Sequence, residues 1–369
     1  MKVHKIRCLF CKRELELDST DSNLNYHLEC LQQVSNLNSD QLQKILFNLG
    51  FKRTTDAFFS DEFITKHVLI ENNKIVKLFI QGQYVKGKKE KTNSIRKQNS
   101  LELKEIFSQL ENYFYLFLNM HELKITNVDF EFLPPKILDL TNLQKLSLSN
   151  SSISSLPENF GSLKNLEEIF FFDLKLRNIT ESIGLLQNLK SIYFHYLPIK
   201  SLPVSIGNLK NLEILLLDTC DIEIFPDSIG ELQNLSEFHV EHSKIKELPE
   251  TFCLLSKLKI LNLKGTKISK LPSKLQNMKE LETINLSKTN IIELPELPQS
   301  IIKIDLSNTK LKEIPIQLRN LKNLETLDIR KTKISELPEW LVELKNIRKI
   351  IIPIQLRKKI PFILKDIIF

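Results

Sequence analysis

The stretch from Asn323 to Lys345, NLETLDIRKTKISELPEWLVELK, decides the fold, because its spacing of apolar residues recurs along the chain from Asn119 onward. Its apolar side chains fall at fixed offsets, namely Leu324, Leu327, Ile329, Ile334, Leu337, Leu341 and Leu344. The period is 23 residues with one unit of 20, and the units begin at residues 119, 142, 165, 188, 211, 234, 257, 280, 300 and 323. Residues 119–345 therefore form ten repeats.

A proline recurs at one position of nearly every unit, and only Thr180 interrupts the series. The prolines are Pro134, Pro157, Pro203, Pro226, Pro249, Pro272, Pro295, Pro315, Pro338 and, in a degenerate last turn, Pro361. The LxL core of each unit alternates as a strand does, while the remainder contains too many prolines for a long helix. Each unit is therefore predicted to be one coil, with a short strand followed by an extended or 3₁₀ return. Its apolar side chains are buried against the turns above and below.

These residues resemble the leucine-rich-repeat family, in its intracellular class with the consensus LxxLxLxxxxIxxLPxxIGxLxNL, over roughly two thirds of the chain. Unit 280–299, which ends in ELPELPQ, resembles the shorter bacterial-type repeat. The resemblance implies an α/β solenoid, a leucine-rich-repeat horseshoe with a parallel concave sheet. It also implies a polar residue after each strand that bonds backbone groups of the neighbouring turn. That column reads Ser151, Cys220, Ser243, Thr266, Thr289, Thr309 and Thr332, with departures at Val128, Leu174 and Leu197.

The ends of a solenoid expose apolar surface and need caps. Residues 346–369 keep Ile347, Ile350 and Ile352 at repeat offsets and are predicted to form the C-terminal cap. Residues 37–118 are predicted to form an N-terminal cap region with a helix, DQLQKILFNLG, after Ser39 and a hairpin around Glu71-Asn72-Asn73. Within it, residues 100–112 have apolar residues at helical spacing, although Leu116 and Leu118 offer a competing repeat register.

Four potential metal ligands lie in residues 1–36, with the spacing C-x₂-C-x₁₅-H-x₂-C: Cys8, Cys11, His27 and Cys30. Two close pairs of this kind can converge on one tetrahedral zinc ion, and the arrangement resembles a treble-clef-like zinc knuckle. With four protein ligands the site is closed, so the expected role of the zinc is structural. Unpaired thiols in a disordered arm and a redox CxxC are the alternatives, while a RING finger would need eight ligands.

The side chains that flank each LxL core point outward on the concave face, and units 165–256 place aromatic, acidic and histidine residues there. They are Phe170, Phe172, Asp173, Tyr193, His195, Tyr196, Leu216, Asp218, His239, Glu241 and His242. Exposed aromatic residues beside acids are typical of a binding hot spot, so this patch is the predicted partner site. The alternative is that these side chains only pack along the sheet as cross-strand neighbours. A second metal site formed by His195, His239, His242 and Asp218 is a further hypothesis.

The net charge of +7 comes from two basic segments, residues 86–97 and 346–369, which each carry +5 against −3 for the rest of the chain. A nucleic-acid-associated zinc protein that uses these segments with Arg7, Lys12 and Arg13 is the alternative function. The basic loop 86–97, however, has no interleaved aromatic residues on which bases could stack.

The sequence contains no GxxxxGK[ST], HExxH or GxSxG motif, which argues against an enzyme. It also lacks a signal-peptide pattern and a run of apolar residues long enough to span a membrane. We therefore expect a cytoplasmic, monomeric, non-enzymatic scaffold or adaptor without disulfides, which binds a protein partner that the sequence does not identify.

Overall fold

The computed structural model describes residues 118–127 and 131–360, together with the backbone of five strands within residues 5–82. The chain divides into two compact units, Met1–Leu123 and Lys124–Phe369. The four ligands of the predicted zinc knuckle, the helix after Ser39, the basic loop 86–97 and residues 100–112 lie outside the described residues. Their predicted structures stay predictions.

The described strands of the first unit include the predicted hairpin. Its arms are β4 (Ile64–Glu71) and β5 (Lys74–Gly82), which pair antiparallel with Glu71 opposite Lys74. A short strand β3 (Lys52–Arg53) pairs parallel with β4. Two further strands, β1 (Lys5–Arg7) and β2 (Glu14–Glu16), pair antiparallel with each other. The hairpin is therefore confirmed, and its role as a cap stays a prediction.

The repeats form a sheet of eleven strands, and each strand begins three residues after the predicted start of its unit. The strands are β6 (Glu122–Thr126), β7 (Lys145–Ser149), β8 (Glu168–Phe172), β9 (Ser191–His195), β10 (Ile214–Asp218), β11 (Glu237–His239), β12 (Ile260–Asn262), β13 (Thr283–Asn285), β14 (Lys303–Asp305), β15 (Thr326–Asp328) and β16 (Lys349–Ile351). Neighbouring strands from β7 to β16 pair parallel without an offset, even across the 20-residue unit. The predicted repeat register and parallel sheet are confirmed.

The core lies on one side of this sheet, because alternate strand residues point to opposite faces. In β8, Ile169 and Phe171 are buried while Phe170 and Phe172 are only partly buried. The rings of Phe171 and Phe194, at the same position in adjacent turns, stack with centroids 5.2 Å apart and an interplanar angle of 3°. Leucine and isoleucine fill most of the other inward positions, so each turn buries its apolar residues against its neighbours.

The return segment of most turns contains a short 3₁₀ helix. The helices are Pro135–Asp139, Phe160–Ser162, Glu181–Leu185, Val204–Asn208, Asp227–Glu231, Glu250–Leu254, Leu275–Asn277, Ile316–Asn320, Glu339–Glu343 and Ile354–Lys359. Prolines of the repeating column precede six of them directly, since a fixed φ near −65° suits the entry to such a turn. Thr180 has a similar φ of −66°, and its hydroxyl accepts a hydrogen bond from the amide of Ser182.

The last described turn differs from the preceding ones. Its strand, β16, lies at the predicted offset, but the 3₁₀ helix Ile354–Lys359 follows Pro353 directly. Pro361 lies outside the described residues, so its place in the proline column stays a prediction.

The polar column after the strands also differs from the prediction. The hydroxyl groups of Thr266, Thr289, Thr309 and Thr332 donate to the carbonyl three residues earlier, at 2.7 Å, and so bond within their own turn. Cys220 of the same column does bond to the preceding turn, through its Sγ and the Phe194 carbonyl, and recurring polar contacts between turns are made by the asparagine that begins many units. Its side-chain amide donates to a carbonyl 24 residues earlier at 2.7–3.0 Å, as seen for Asn165, Asn188, Asn211, Asn234, Asn323 and Asn346. The first residue of the unit is therefore a recurring polar link between coils, beside others such as the hydroxyl groups of Ser228 and Thr251.

The two cysteines of the repeats lie in the packed interior of the coils. Cys220 and Cys253 are both buried and free. Burial raises the pKa of the Cys220 thiol to about 12, and its Sγ lies 3.5 Å from the carbonyl oxygen of Phe194 in the preceding turn. A thiol with such a pKa is uncharged and unreactive at neutral pH, which fits the predicted packing role.

Candidate functional site

The predicted partner residues lie together on the side of the sheet opposite the core. Strand register aligns Phe170 with Tyr193 and Leu216, and aligns Phe172 with His195 and then Asp218. We define the sheet-face patch by its residues Phe170, Phe172, Asp173, Tyr193, His195, Tyr196, Asp218, His239, Glu241 and His242. None of these residues is fully buried, so all of them remain accessible. Leu216, which was predicted beside them, is also partly accessible.

One half of the patch is a continuous group of rings. The ring of Phe170 lies 6.5 Å from that of Tyr193 and 5.7 Å from that of His195, measured between centroids. Phe172 lies 6.1 Å from His195 and contacts Tyr196 edge to face at 5.4 Å. Tyr196 remains 53% exposed, which is high for an aromatic residue. These rings contact each other along the sheet and leave their outer faces to solvent.

The other half of the patch is acidic. Asp218 Oδ2 lies 3.8 Å from Nδ1 of His195, and Asp218 Oδ1 is buried without a hydrogen-bond partner. Desolvation raises the pKa of Asp218, and the nearby charge of Glu241 raises it further, while His195 opposes the shift. Glu241 has partners of its own, because Lys264 Nζ lies 2.9 Å away and the side-chain amide of Asn262 lies 2.8 Å away. Despite the desolvation that opposes it, these contacts lower the pKa of Glu241.

Five residues after the first residue of each strand from β6 to β15 lies a residue with a left-handed backbone, which the repeat pattern did not predict. In the patch these residues are Asp173 (φ 47°), Tyr196 (φ 55°) and His242 (φ 54°). The same column contains Gly265 with φ 72°, where a Cβ atom would lie 2.4 Å from Nδ1 of His242. Glycine therefore suits position 265 because the imidazole of His242 packs against it. Three asparagines in this column are a signal in the sequence that could have revealed it.

The later strands use the same face differently. The side chains of Asn262, Asn285, Asp305 and Asp328 each accept a hydrogen bond from the backbone amide two residues later, at 2.9–3.2 Å. These polar groups are occupied by turns of their own chain. Phe170, Tyr193, Leu216 and His239 hold the equivalent positions in the patch. The face therefore changes from aromatic to internally bonded polar side chains at Asn262.

The hypothesis of a second metal site finds no support here. Among the described residues no group of three or more histidine, cysteine, aspartate or glutamate side chains is arranged to hold a metal ion. His195 and His239 instead lie beside carboxylates, with His239 Nε2 3.2 Å from Glu237 Oε2.

The part of the chain that is described also contains no helix of the length and apolarity needed to cross a membrane.

Comparison with known proteins supports the repeat assignment. Residues 142–163 match the family model described as Leucine Rich Repeat. A leucine-rich-repeat protein of Leptospira interrogans has a similar structure, with a TM-score of 0.63 and 25% identity, over 68% of this chain and 65% of that one. This chain therefore spans just under two thirds of that structure. No curated protein sequence matches this chain.

Two further structures share the fold at lower identity. One, a complex of Latrophilin 3, Unc5D and the leucine-rich repeats of FLRT2, has a TM-score of 0.54 and 16% identity, over 65% of this chain and 81% of that one. The other, TLR13 with the RNA ssRNA13, has a TM-score of 0.58 and 21% identity, over 66% and 39%. The sheet and repeats therefore define a leucine-rich-repeat solenoid. Proteins of this class generally act in protein–protein interaction and are typically non-enzymatic.

Proposed function

We propose that this chain is a non-enzymatic adaptor or scaffold, and that the sheet-face patch binds its protein partner. The observation that carries the proposal is the group of rings formed by Phe170, Phe172, Tyr193 and Tyr196, whose outer faces stay accessible. Rigid aromatic side chains give a large contact area at a low cost in conformational entropy. Packing between strands explains their contacts with each other, but it does not explain why Tyr196 is 53% exposed.

The backbone of Tyr196 adds to this argument. A bulky residue with a φ of 55° is uncommon, because its Cβ then crowds the backbone. Asn127, Asn150 and Asn308 occupy the same column, and asparagine tolerates this conformation better. A tyrosine at this position costs the fold free energy, which fits a residue kept for binding.

The charge of the face favours a protein over a nucleic acid. The segments 168–173, 191–196, 214–219 and 237–242 contain five carboxylates, Glu168, Asp173, Asp218, Glu237 and Glu241, and no lysine or arginine. Such a surface repels phosphate groups, on which most nucleic-acid affinity depends. The basic segment 86–97 that motivated the alternative lies outside the described residues.

Site-directed photo-cross-linking tests the proposed site even while the partner is unidentified. We would place benzoylphenylalanine at Tyr196, and in a matched control at Lys288, which has the same left-handed position four units later. We expect a discrete covalent adduct with one protein from position 196 and none from position 288. An equal adduct from both positions, or from neither, would contradict the proposal.

A double variant then tests the contribution of the rings to affinity. Tyr193→Ser/Tyr196→Asn uses residues that the chain itself has at these columns, Ser147 and Asn150, so the fold should be kept. We expect it to weaken binding of the cross-linked partner at least about tenfold, because aromatic hot-spot residues commonly contribute more than about 1 kcal/mol each. Lys288→Asn is the control and should bind as the wild type does. Unchanged affinity of the double variant, with an unchanged circular dichroism spectrum, would refute the role of these rings.

We also propose that Cys8, Cys11, His27 and Cys30 hold a structural zinc ion. The antiparallel pairing of β1 with β2 supports this proposal, because these strands flank the Cys8–Cys11 pair in sequence. Two cysteines between paired strands are suited to bind one ion. Elemental analysis should find about one zinc per chain in the wild type. We expect it to be absent from Cys8→Ser/Cys11→Ser, and a wild type without zinc would refute the site.

A further inference from the structure

Among the five carboxylates of segments 168–173, 191–196, 214–219 and 237–242, Asp218 has the longest ion-pair distance. Lysines lie near the others: Lys145 Nζ is 3.0 Å from Glu168, Lys175 Nζ is 3.7 Å from Asp173 and Lys264 Nζ is 2.9 Å from Glu241. Glu237 has His239 at 3.2 Å. Asp218 has no lysine or arginine partner among the described ion pairs: Nδ1 of His195 lies 3.8 Å away, and the backbone of Glu241 and the imidazole of His239 also favour its charged form.

The surroundings of Asp218 make this lack of a cation costly. Its side chain is 27% exposed, and Oδ1 is buried with no hydrogen-bond partner among the described residues. Its neighbour Glu241 adds a like charge, because the amide of Thr219 bonds the Glu241 carbonyl and so aligns the two strands. A charged carboxylate in such a place gains free energy when a positive group that donates hydrogen bonds arrives.

Aromatic rings lie immediately beside this carboxylate. His195 is the register partner of Asp218, and Phe172 is the register partner of His195 on its other side. The edge-to-face contact of Phe172 with Tyr196 extends the ring surface. A planar cation could therefore contact rings with its face and the carboxylate with its edge. Guanidinium has this geometry, because it is flat, stacks on rings and presents parallel donors, whereas an ammonium is a point charge.

We propose that the sheet-face patch recognises an arginine side chain of the partner, with its guanidinium on the carboxylate of Asp218 and its plane against the rings of Phe172 and His195. The partner is thus a protein segment that presents arginine to a face whose four central segments contain five carboxylates and no lysine or arginine, and on which lysines of flanking positions pair with Glu168, Asp173 and Glu241 but not with Asp218. The inference rests on the proposed function and adds the chemistry of the ligand.

A random peptide library displayed on phage, selected against the full-length protein, supplies the probe. We expect the enriched peptides to share an arginine. The decisive variants are Asp218→Asn and the matched control Asp305→Asn, which lies on the same face. Asp305 accepts a hydrogen bond from the Ser307 amide, and Asn285 makes the same bond in the neighbouring turn, so the control should keep its structure.

The affinity of one enriched peptide is then compared with that of the same peptide carrying citrulline, a neutral analogue of arginine. Asp218→Asn should weaken binding of the arginine peptide at least about tenfold, and citrulline should weaken binding to the wild type by a similar factor. Citrulline should cost little further affinity in the Asp218→Asn variant, since the two changes remove the same pair. Asp305→Asn should bind as the wild type does.

Several outcomes would overturn the proposal. Enriched peptides without arginine, or with lysine in equal preference, would refute arginine recognition. An arginine that matters equally in the wild type and in Asp218→Asn would show that its site is elsewhere. If such peptides still lost affinity for Tyr193→Ser/Tyr196→Asn, the proposed function would stand and only this inference would fail. A library without any peptide sensitive to that double variant would count against both.

Discussion

At the scale of single residues, one column of the repeat has the same left-handed backbone in the turns from β6 to β15 but different types of residue. The left-handed column after the strands contains Asn127, Asn150 and Asn308, for which the conformation is inexpensive. It also contains Tyr196 and Thr219, for which it is costly, since a β-branched or bulky side chain crowds the backbone there. Tyr196 belongs to the sheet-face patch, and Thr219 directly follows Asp218. Lys288 and Lys331 have the same conformation outside the patch, so the proposed binding residues share this strain but are not alone in it.

Asp218 gives a prediction about stability and pH. Desolvation raises the pKa of Asp218 in the folded state, so the contribution of this group to stability is present below its ordinary pKa and is lost as the pH rises through the raised value. An uncharged amide at this position has no such loss. The Asp218→Asn variant should therefore melt at the same temperature as the wild type in acid and at a higher temperature near neutral pH.

Thermal unfolding followed by circular dichroism across this pH range measures the difference. The control Asp305→Asn reports the general effect of removing one negative charge from the same face. A lower melting temperature of Asp218→Asn at neutral pH would mean that the carboxylate stabilises the fold. A gain in stability with a loss of binding would be the usual trade-off at a functional site.

At the scale of elements, the close packing of 3₁₀ helices in adjacent turns involves one recurring position of the repeat, which is glycine in four units. A backbone carbonyl oxygen of the next turn lies so close to each of these glycines that an added Cβ atom would be within 2.5 Å of it. The glycines are Gly161, Gly184, Gly207 and Gly230. Each of these glycines is followed by a five-residue 3₁₀ helix in the next turn. Leu138 and Cys253 hold the same position and are followed by three-residue helices. Arg319 breaks the relation, because a five-residue helix, Glu339–Glu343, follows it.

Gly207→Ala tests this close packing of returns. The new methyl group would lie 2.5 Å from the Ser228 carbonyl oxygen and 2.8 Å from Ser228 Cβ, so one turn must move away from the other. We expect a loss of about 1–3 kcal/mol in the free energy of unfolding, measured with chemical denaturant. Val204→Ala on the same helix, where the side chain is 67% exposed, should change it by less than about 0.5 kcal/mol. Equal stability of the two variants would mean that the turns separate without cost.

At the scale of the whole molecule, the repeat unit is built from contacts between nearest neighbours. The asparagine bonds, the strand pairs and ion pairs such as Lys190–Glu167 and Lys244–Asp221 all join adjacent turns. The stability of such a solenoid is approximately a sum of units and interfaces between units. A deletion that keeps the period of the repeat should therefore be tolerated better than a shorter deletion that interrupts the period.

Deletion of residues 300–322, one complete unit of 23 residues, tests this additivity. The remaining units keep their register, so we expect a folded protein with a lower melting temperature and with unchanged binding at the distant sheet-face patch. Deletion of residues 300–311 removes fewer residues, but it removes strand β14 and joins the end of one unit to the return half of the next. It should abolish cooperative unfolding, measured by calorimetry. If the shorter deletion were the better tolerated of the two, the nearest-neighbour description would be wrong.

The sequence by itself determined the repeat period, the register of the strands from β6 to β16 and most of the buried positions. Apolar residues at a fixed period must be buried together, and this requirement acts within each unit, so it can be read along the chain. It also placed the aromatic and acidic residues of the sheet-face patch on one side, because side chains of a strand alternate.

Only the tertiary structure decided what those side chains do. It showed that threonines such as Thr266 bond within their own turn, and that the unit-initial asparagines link the coils. It also showed that the last return begins at Ile354 and that Asp218 is half buried beside His195. Each of these facts depends on groups in a neighbouring turn or on the direction of a side chain between two turns. Periodicity specifies which residues meet across neighbouring coils, but the distances, exposures and charges at each contact exist only once the coils are stacked.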